Sequence, residues 1–401
     1  MFRYRLYPIK TQTETLEEQL ELCRQTHNWL MATCKGTYEE TGKTLSKFDL
    51  SNKLPYLKTQ KPEINKVHSQ VLQNICKRIR DGYINFFARR KAGLKAGIPR
   101  FKKYGRYKSI TYPQSGFKIE DGKLHLSKIG DIRIKQHREL KGQIKTLTIK
   151  RYPSGKWYAC FSCIVETQPK DKPFKDVGID MGINSYAVLS DGGTIENPRF
   201  YRKSEKRLAH LQRSMSKKVR GSRNYVKAKV QVARLHEKIG NRRTDFLHKE
   251  SRKIADKYEN VYFEDLKIRN MVRNHCLAKS ISDAGWGRFI GMIAYKEEES
   301  GGQLISVNPR NTTQNCSQCG EYVEKSLSER IHECPICGLV MDRDQNAALN
   351  ILERGREIGQ ELPESMPAED KTTTPQTVVQ VYPVKQEASL LVGRQFTVSM
   401  V

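Results

Sequence analysis

The chain has no uninterrupted apolar run near the roughly 18–20 residues that a membrane helix requires. Its first residues, Met1-Phe-Arg-Tyr-Arg-Leu-Tyr-Pro8, are charged and broken early by proline, unlike a secretory signal. Membrane insertion and secretion are therefore not expected, and a cytoplasmic protein is. Acidic residues are in short supply: 44 Asp+Glu face 72 Lys+Arg in 401 residues, a formal net charge of +28. Such an excess asks for a polyanionic partner, and nucleic acid is the first choice. Internal repeats are absent. Ten cysteines are too few for a disulfide scaffold in a chain of this length. With 37% hydrophobic residues the chain can bury a core, so it is not wholly disordered, and its length suits two or three domains.

The apolar pattern changes period along the chain. Phe2–Tyr7 alternates like a strand. Residues 12–90 read as helical, with Leu16, Leu20 and Cys23 at helical spacing and a second stripe through Val71, Leu72, Ile75, Ile79, Tyr83, Phe86 and Phe87. From 99 to 168 the period becomes two, which predicts a small basic β-domain that the first strand joins. A polar linker, Thr167–Pro173, leads to a mixed α/β region. That region opens with the strand Val177–Gly182 and a hairpin through Tyr186–Leu189. A basic helical stretch over 202–258 follows, expected to break near Gly221 and around Gly240. Then come a strand at Asn260–Leu266, a helix around 286–299, a strand near Gln303–Val307, a cysteine-rich insert at 311–341 and a helix over Asp344–Gly355. From Glu357 onward the composition turns acidic and polar and reads as a disordered tail over 357–401.

Cys316-Ser-Gln-Cys319-Gly and Cys334-Pro-Ile-Cys337-Gly are two knuckles of one design, 14 residues apart. Each presents two thiolates from one tight bend, and the glycine after it permits the backbone turn. Four such ligands make a closed tetrahedral Zn²⁺ site, which is structural because no position stays open. Cys160 and Cys163 share the spacing but lie in a strand, where an odd offset sends them to opposite faces. Cys23, Cys34, Cys76 and Cys276 stand singly.

Three acids sit where structure alone explains them poorly. Asp180 interrupts the apolar strand between Ile179 and Met181, Glu264 ends Val261-Tyr-Phe263, and Asp344 opens the last helix. A mid-strand carboxylate is disfavoured and costs desolvation unless a cation faces it. Three converging carboxylates would offer hard oxygen ligands to Mg²⁺ or Mn²⁺, the chemistry of phosphodiester displacement. Each acid also has a plainer reading, Asp344 as a helix cap and Glu264 as a surface strand end. Asp265 and Asp342 are the weaker neighbours.

Two cationic stretches stand out. One runs from Arg202 to Arg223 and on to Arg242 and Arg243. The other runs from Arg89 and Arg90 through Arg100, Lys102 and Lys103 to Lys108, with Phe101, Tyr104 and Tyr107 interleaved. Alternating aromatics and cations suit base stacking and phosphate contact. The helix face carrying Gln70, Gln73, Asn74 and Lys77 could bond base edges in a groove, with Gln73 the named candidate.

These residues together resemble the TnpB family, transposon-encoded RNA-guided DNA endonucleases related to the type V CRISPR effectors. The resemblance runs through His68–Gln73, Asn85–Arg90, Gly97–Phe101, Gly178–Ile183, Ile281–Trp286, the paired CxxCG knuckles and Asp342–Ile351. It implies an α/β multidomain protein. A RuvC-like nuclease of RNase H fold would occupy 171–310 and 342–356, split by a zinc ribbon at 311–341. A helical recognition domain would cover 11–98, and a wedge-like β-barrel 1–10 and 99–170. It implies that Asp180, Glu264 and Asp344 form a catalytic triad binding Mg²⁺ or Mn²⁺, with Asp344 rather than Asp342 as the last member. It implies Zn²⁺ on the knuckles, a guide RNA from the transposon end, double-stranded target DNA beside a short flanking motif, and a nucleoid-associated monomer with RNA in a prokaryote. An RNA-guided DNA-binding regulator without cleavage, or a DNA transposase, is the alternative. The segment Asn311-Thr-Thr-Gln-Asn315 departs from the family's usual Ser-Ser-Gln or Thr-Ser-Gln, and no effect on chemistry is expected from it.

Overall fold

The computed structural model describes residues 1–166, 171–326 and 328–361. Part of the expected linker, and the expected tail from 362 onward, lie outside the described residues. Two compact units form. Met1–Glu166 with Lys229–Arg234 make one, and the other described residues make the second. No helix among the described residues is long and apolar enough to cross a membrane.

In the first unit, strand β1 (Phe2–Tyr7) leads into the 32-residue helix α1 (Lys10–Thr41). The Gln12 side chain accepts a hydrogen bond from the Ile9 N–H at 3.1 Å at the start of α1. Gly42 ends it in the left-handed region, φ 66°, its N–H bonded to the Tyr38 carbonyl at 2.9 Å. Helices α2 (Lys47–Asn52), α3 (Leu54–Gln60) and α4 (Ser69–Lys91) follow. On α4, Val71, Leu72, Ile75, Cys76 and Ile79 are buried. Tyr83, half-buried, still packs against the core, and beyond it the stripe runs out, leaving Phe87 41% exposed although the periodicity continues.

Strands β2 (Ser109–Tyr112), β3 (Phe117–Glu120), β4 (Lys123–Leu126), β5 (Gly130–Lys135), β6 (Gln143–Arg151) and β7 (Trp157–Ile164) form with β1 a seven-stranded sheet in the order β2-β6-β7-β1-β5-β4-β3. The first strand of the chain thus pairs between β7 and β5. The outermost strands β2 and β3 are joined by only residues 113–116, so the sheet has to roll until its two ends approach each other. Tyr112 of β2 and Phe117 of β3 meet at 6.4 Å, and Phe117 meets Phe161 of β7 at 6.3 Å, filling the near-closed interior. One hydrophobic core runs from Leu16, Leu30 and Leu72 of the helices to Leu124, Ile132 and Phe161 of the strands. The helical and strand stretches, expected as separate domains meeting near 98, share that core and make one unit.

The second unit begins with β8 (Phe174–Met181), β9 (Ser185–Leu189) and β10 (Thr194–Glu196), followed by α5 (Phe200–Ser216) and α6 (Arg223–Lys257). The expected break near Gly221 is present, but α6 runs unbroken through Gly240. A mid-helix glycine costs only about 1 kcal/mol; Leu235 and Ile239 are buried on one side of it, and Leu247 and Ile254 on the other hold the helix to the core. Next come β11 (Tyr258–Glu264), α7 (Ile268–Met271), α8 (His275–Ala284), α9 (Trp286–Ser300), β12 (Gln303–Val307), β13 (Ile331–Glu333), β14 (Val340–Asp342) and α10 (Arg343–Glu361). Helix α8 is a further element that the apolar periodicity does not suggest. It is capped by Asn274, whose side chain accepts from the Cys276 N–H at 3.1 Å, and ended by left-handed Gly285. Helix α10 extends five residues into the stretch expected as tail.

The main sheet has the order β10-β9-β8-β11-β12. β8, β9 and β10 are antiparallel neighbours, whereas β11 runs parallel to both β8 and β12. The long helical crossovers α5–α6 and α7–α9 make those parallel pairings possible. Period-two alternation divides the faces. Val177, Ile179, Met181, Val261 and Phe263 pack with α6 and α9 residues such as Leu247, Ile254, Phe289 and Ile293. Tyr262 packs the other way, with Val307 of β12 and Ile351 of α10.

Helix α10 lies so close to β8 that there is no room for a side chain at Gly178. A Cβ there would sit 2.2 Å from the Ala348 carbonyl oxygen and 2.6 Å from the Leu352 nitrogen. Gly178→Ala therefore forces α10 away and should cost about 1–3 kcal/mol. Gly240→Ala meets nothing within 4 Å and should stabilise by about 0.5–1 kcal/mol through helix propensity. Thermal unfolding of the two variants should show melting points displaced in opposite directions.

Candidate active site and metal centre

The alternation that points Val177, Ile179 and Met181 to one face points Gly178 and Asp180 to the other, the face that α10 covers. By the same count Glu264 shares the side of Tyr262. The parallel register pairs Gly178 with Tyr262 and Ile179 with Phe263. Asp180 and Glu264 thus end adjacent parallel strands side by side, at the carboxyl edge where open α/β sheets bind ligands. Asp344 arrives from the first turn of α10.

The capping role is taken by another acid. The Asp342 carboxylate accepts from the backbone N–H of Asp344 at 2.8 Å and of Gln345 at 3.2 Å. The Asp344 side chain is left to face Arg343 at 3.3 Å and Arg330 at 3.8 Å. Asp265 pairs with Lys267 at 2.5 Å.

Burial, reinforced by the charges of Glu264 and Asp344, pushes Asp180 up to about 8, with Arg343 and the Met181 N–H pulling the other way. Glu264 is raised by burial too, against the Thr312 hydroxyl, which donates to its Oε1, and Arg354. Burial thus disfavours the charged forms of Asp180 and Glu264, and Asp180 also feels the charges of Glu264 and Asp344. Hard oxygen donors of like charge in one place fit a divalent cation. Among the described residues, however, only the four knuckle thiols already gather their ligand atoms within 4.8 Å of one another.

In the cysteine-rich insert, Cys316 and Cys337 Sγ atoms lie 3.6 Å apart and Cys319 and Cys334 3.5 Å apart. Zn–S bonds of about 2.3 Å in a tetrahedron place sulfurs about 3.8 Å apart, so the cluster is compatible with zinc. Each knuckle is closed by a glycine N–H on the first cysteine's carbonyl, Gly320 on Cys316 at 2.9 Å and Gly338 on Cys334 at 3.0 Å. Both glycines are left-handed, φ 78° and 73°. Backbone N–H groups of Cys337 and Ile336 pull the Cys334 thiol down to about 6, toward the thiolate a metal needs. Cys160 and Cys163 both lie in β7 and join no such group among the described residues.

Sequence reasoning missed the residues that hold these pieces together. Helix α10 presents Asn346, Asn350 and Arg354 at i, i+4, i+8 to the segment leading into the first knuckle. Asn346 accepts from the Ser317 N–H at 2.9 Å and donates to the Asn315 carbonyl at 2.8 Å. Asn350 donates to the carbonyls of Thr312 and Asn315 at 2.8 and 2.7 Å. Arg354 donates to those of Asn308 and Arg310 at 3.1 and 2.5 Å. The polar residues recurring every four positions along α10 are the signal that could have found them. Thr312, in the segment expected to be chemically silent, is 2% exposed and bonded to Glu264.

The nucleic-acid candidates lie in the first unit. Gln73, Lys77, Arg89, Arg90, Arg100, Lys102 and Lys103 are all exposed. Lys77 pairs with Asp81 at 2.8 Å, and Gln70 accepts from the Ser115 N–H at 3.0 Å, so part of that helix face serves the unit itself. The irregular stretch after α4 is pinned at Lys102. Its carbonyl accepts from Arg24 and Asn28 at 3.0 Å each, and its N–H donates to Asn28 at 2.8 Å.

Comparison with known proteins adds a family. The OrfB_IS605 pattern, described as Probable transposase, matches residues 160–275. The Cas12f1-like TNB domain matches 286–351, and a helix-turn-helix domain matches 1–43. Here that last stretch is one strand and one uninterrupted helix. A Streptomyces pristinaespiralis protein named as an RNA-guided DNA endonuclease is 33% identical over 369 residues, 88% of this chain and 89% of its own. InsQ of Escherichia coli K12, named likewise, is 32% identical over 378 residues, 89% and 92%. The CRISPR-associated endodeoxyribonuclease Cas12f1 of Sulfoacidibacillus thermotolerans is 29% identical over 220 residues, 49% of this chain and 50% of its own. A solved Cas12f1–sgRNA–target DNA complex shares the fold with TM-score 0.52 at 18% identity, covering 84% of this chain and 82% of that one.

A pH dependence follows from Asp180. Its folded pKa is raised above the unfolded value, so the native state holds the proton more tightly and metal-free stability falls as pH rises toward about 8. Melting temperatures of chelator-treated protein should decline between about pH 4 and pH 8, and Asp180→Asn should flatten that decline. An unchanged slope in the variant would assign it to another group.

Proposed function

The chain belongs to the OrfB/TnpB family of transposon-encoded proteins, and from that premise we propose that it is an RNA-guided, divalent-metal-dependent DNA endonuclease. The observation that carries this reading is the strand register that sets buried Asp180 next to Glu264 at the ends of β8 and β11, with the charge of Asp344, from the first turn of α10, also felt at Asp180. In this reading the five-stranded unit is a RuvC-like nuclease of RNase H fold, carrying the zinc ribbon between β12 and α10. The first unit combines helical recognition and wedge functions.

Asp180, Glu264 and Asp344 would hold Mg²⁺ or Mn²⁺, and Cys316, Cys319, Cys334 and Cys337 would hold Zn²⁺. Divalent metal at such a site activates water and stabilises the oxygens of an in-line phosphodiester displacement. The chain's own part is to orient the acids. Arg343 and Arg330 pair with the Asp344 carboxylate, while the Thr312 hydroxyl fixes Glu264. Asp180 stays poised by burial to release its proton when positive charge arrives. Tyr107 is buried in the core and takes no part, but the exposed cations from Arg89 to Lys108, with exposed Phe101 and Tyr104 among them, suit the backbone of a guide–target duplex, whose A-form shape rather than its bases a protein reads. Sequence choice then lies in guide pairing and in a short flanking DNA motif, for which Gln73 is a candidate contact.

Protein co-expressed with its guide RNA should cut matching DNA in Mg²⁺, and exchanging the guide segment should redirect the cut. Asp180→Ala, Glu264→Ala and Asp344→Ala should each reduce cleavage to background while target binding persists. Asp342→Ala should keep cleavage and lose about 1 kcal/mol of stability with its cap. Specific cutting by RNA-free protein would overturn the proposal.

Protein purified without chelator should contain one zinc per chain by metal analysis. Cys316→Ser or Cys337→Ser should release it, and zinc-free wild-type protein would refute the assignment.

A further inference from the structure

Helix α10 does more than deliver Asp344. Its polar stripe Asn346, Asn350 and Arg354 grips the backbone of residues 308–317, the segment between the end of β12 and the first zinc knuckle. Within that segment Thr312 is the residue turned toward the acids. Its hydroxyl donates to Glu264 Oε1, with the Pro309 carbonyl, at 3.2 Å, the more distant acceptor. Its own carbonyl accepts from Asn350 at 2.8 Å, and its side chain is buried, so the hydroxyl is fixed from behind. Glu264 has a long side chain with several rotatable bonds and is the last residue of β11, and the hydrogen bond from Thr312 holds its Oε1. Three residues beyond Asn315, whose carbonyl Asn346 and Asn350 both hold, lies Gln318 in the Cys316–Cys319 knuckle. The order of the knuckle and the position of Thr312 therefore depend on the same anchor.

We propose that Thr312 is the positioning residue for Glu264, and that through it the zinc ribbon's lead-in segment sets the geometry of the carboxylate site. The inference rests on Glu264 being a metal ligand, as proposed above. Hydrogen bonds to metal-ligating groups orient them, and their loss typically weakens metal binding by about 10–100-fold. The same side chain lies 48 positions from Glu264 along the chain, so the pairing exists only in the folded unit.

The test compares Thr312→Val, which keeps shape and removes the donor, with Thr312→Ser, which keeps the donor. Each is prepared as full-length protein with its guide RNA, and Mn²⁺ affinity is measured by electron paramagnetic resonance alongside zinc content and target binding. The valine variant should bind Mn²⁺ about 10-fold or more weakly, and its cleavage should need correspondingly more metal. The serine variant should restore the wild-type value. Zinc per chain and target affinity should stay unchanged in both. If the valine lowers zinc below one per chain, Thr312→Ala carries the same comparison. Wild-type Mn²⁺ affinity in Thr312→Val, with cleavage lost in Glu264→Gln, overturns the positioning role and leaves the metal site standing. Wild-type Mn²⁺ affinity and cleavage in Glu264→Gln instead overturn the assignment of Glu264 itself.

Discussion

The second unit depends on how closely α10 can lie against its sheet. Gly178 removes the side chain that would strike the Ala348 carbonyl, and Gly355 does the same against the ring of Tyr262, where a Cβ would come within 2.1 Å. Between these two points Ala347, Ala348 and Ile351 are fully buried. Once the helix is seated, its three stripes have fixed duties. The apolar stripe holds the sheet, the Asn346–Asn350–Arg354 stripe holds the chain leading into the first knuckle, and the first turn brings the charge of Asp344 to bear on Asp180. At the far end, Arg356 reaches Asp176 of β8 at 2.9 Å, where Asn260 also donates at 3.0 Å.

That seating concentrates negative charge in a protein with a large positive excess. Asp180 is 8% exposed, and burial outweighs Arg343 in setting its proton affinity. A protein selected only for stability would replace such a group with an apolar one. Retaining it where two further carboxylates converge suits a site whose occupant brings the missing positive charge.

Much of this was legible in the sequence because it is local. Strand alternation, paired CxxCG knuckles and an aspartate in the middle of an apolar strand each announce themselves within a few residues. What stayed hidden depends on tertiary packing. Gly240 looks like a break until Leu235, Ile239 and Leu247 are seen buried on one helix. Phe87 continues a helical stripe that the core never covers, and the shared core of helices and barrel-like sheet joins residues more than a hundred positions apart. Asp342 and Asp344 are two residues apart and chemically identical. Only the backbone N–H groups that Asp342 accepts assign the cap to it and free Asp344. The Thr312–Glu264 bond joins two segments that no periodicity relates, and the sequence showed only an unusual spelling at 311–315.

The placement of the ribbon has a physical consequence of its own. The chain must pass from β12, beside Glu264, to α10, which carries Asp344, and the described residues of 308–342 supply only two three-residue strands to do so. A segment with so little core cannot order itself by hydrophobic burial, and closing it as a free loop costs entropy. Four thiols within 4.8 Å of one another would cross-link it at both knuckles through one ion, whose binding free energy would then be folding free energy of the segment. The ordered end of the segment is then clamped by α10, the same helix whose first turn supplies an acid. Tethering the loop to the helix in this way links the cysteine cluster to the two elements that carry Glu264 and Asp344, so an ion held by the four thiols would act on the placement of both acids without touching either.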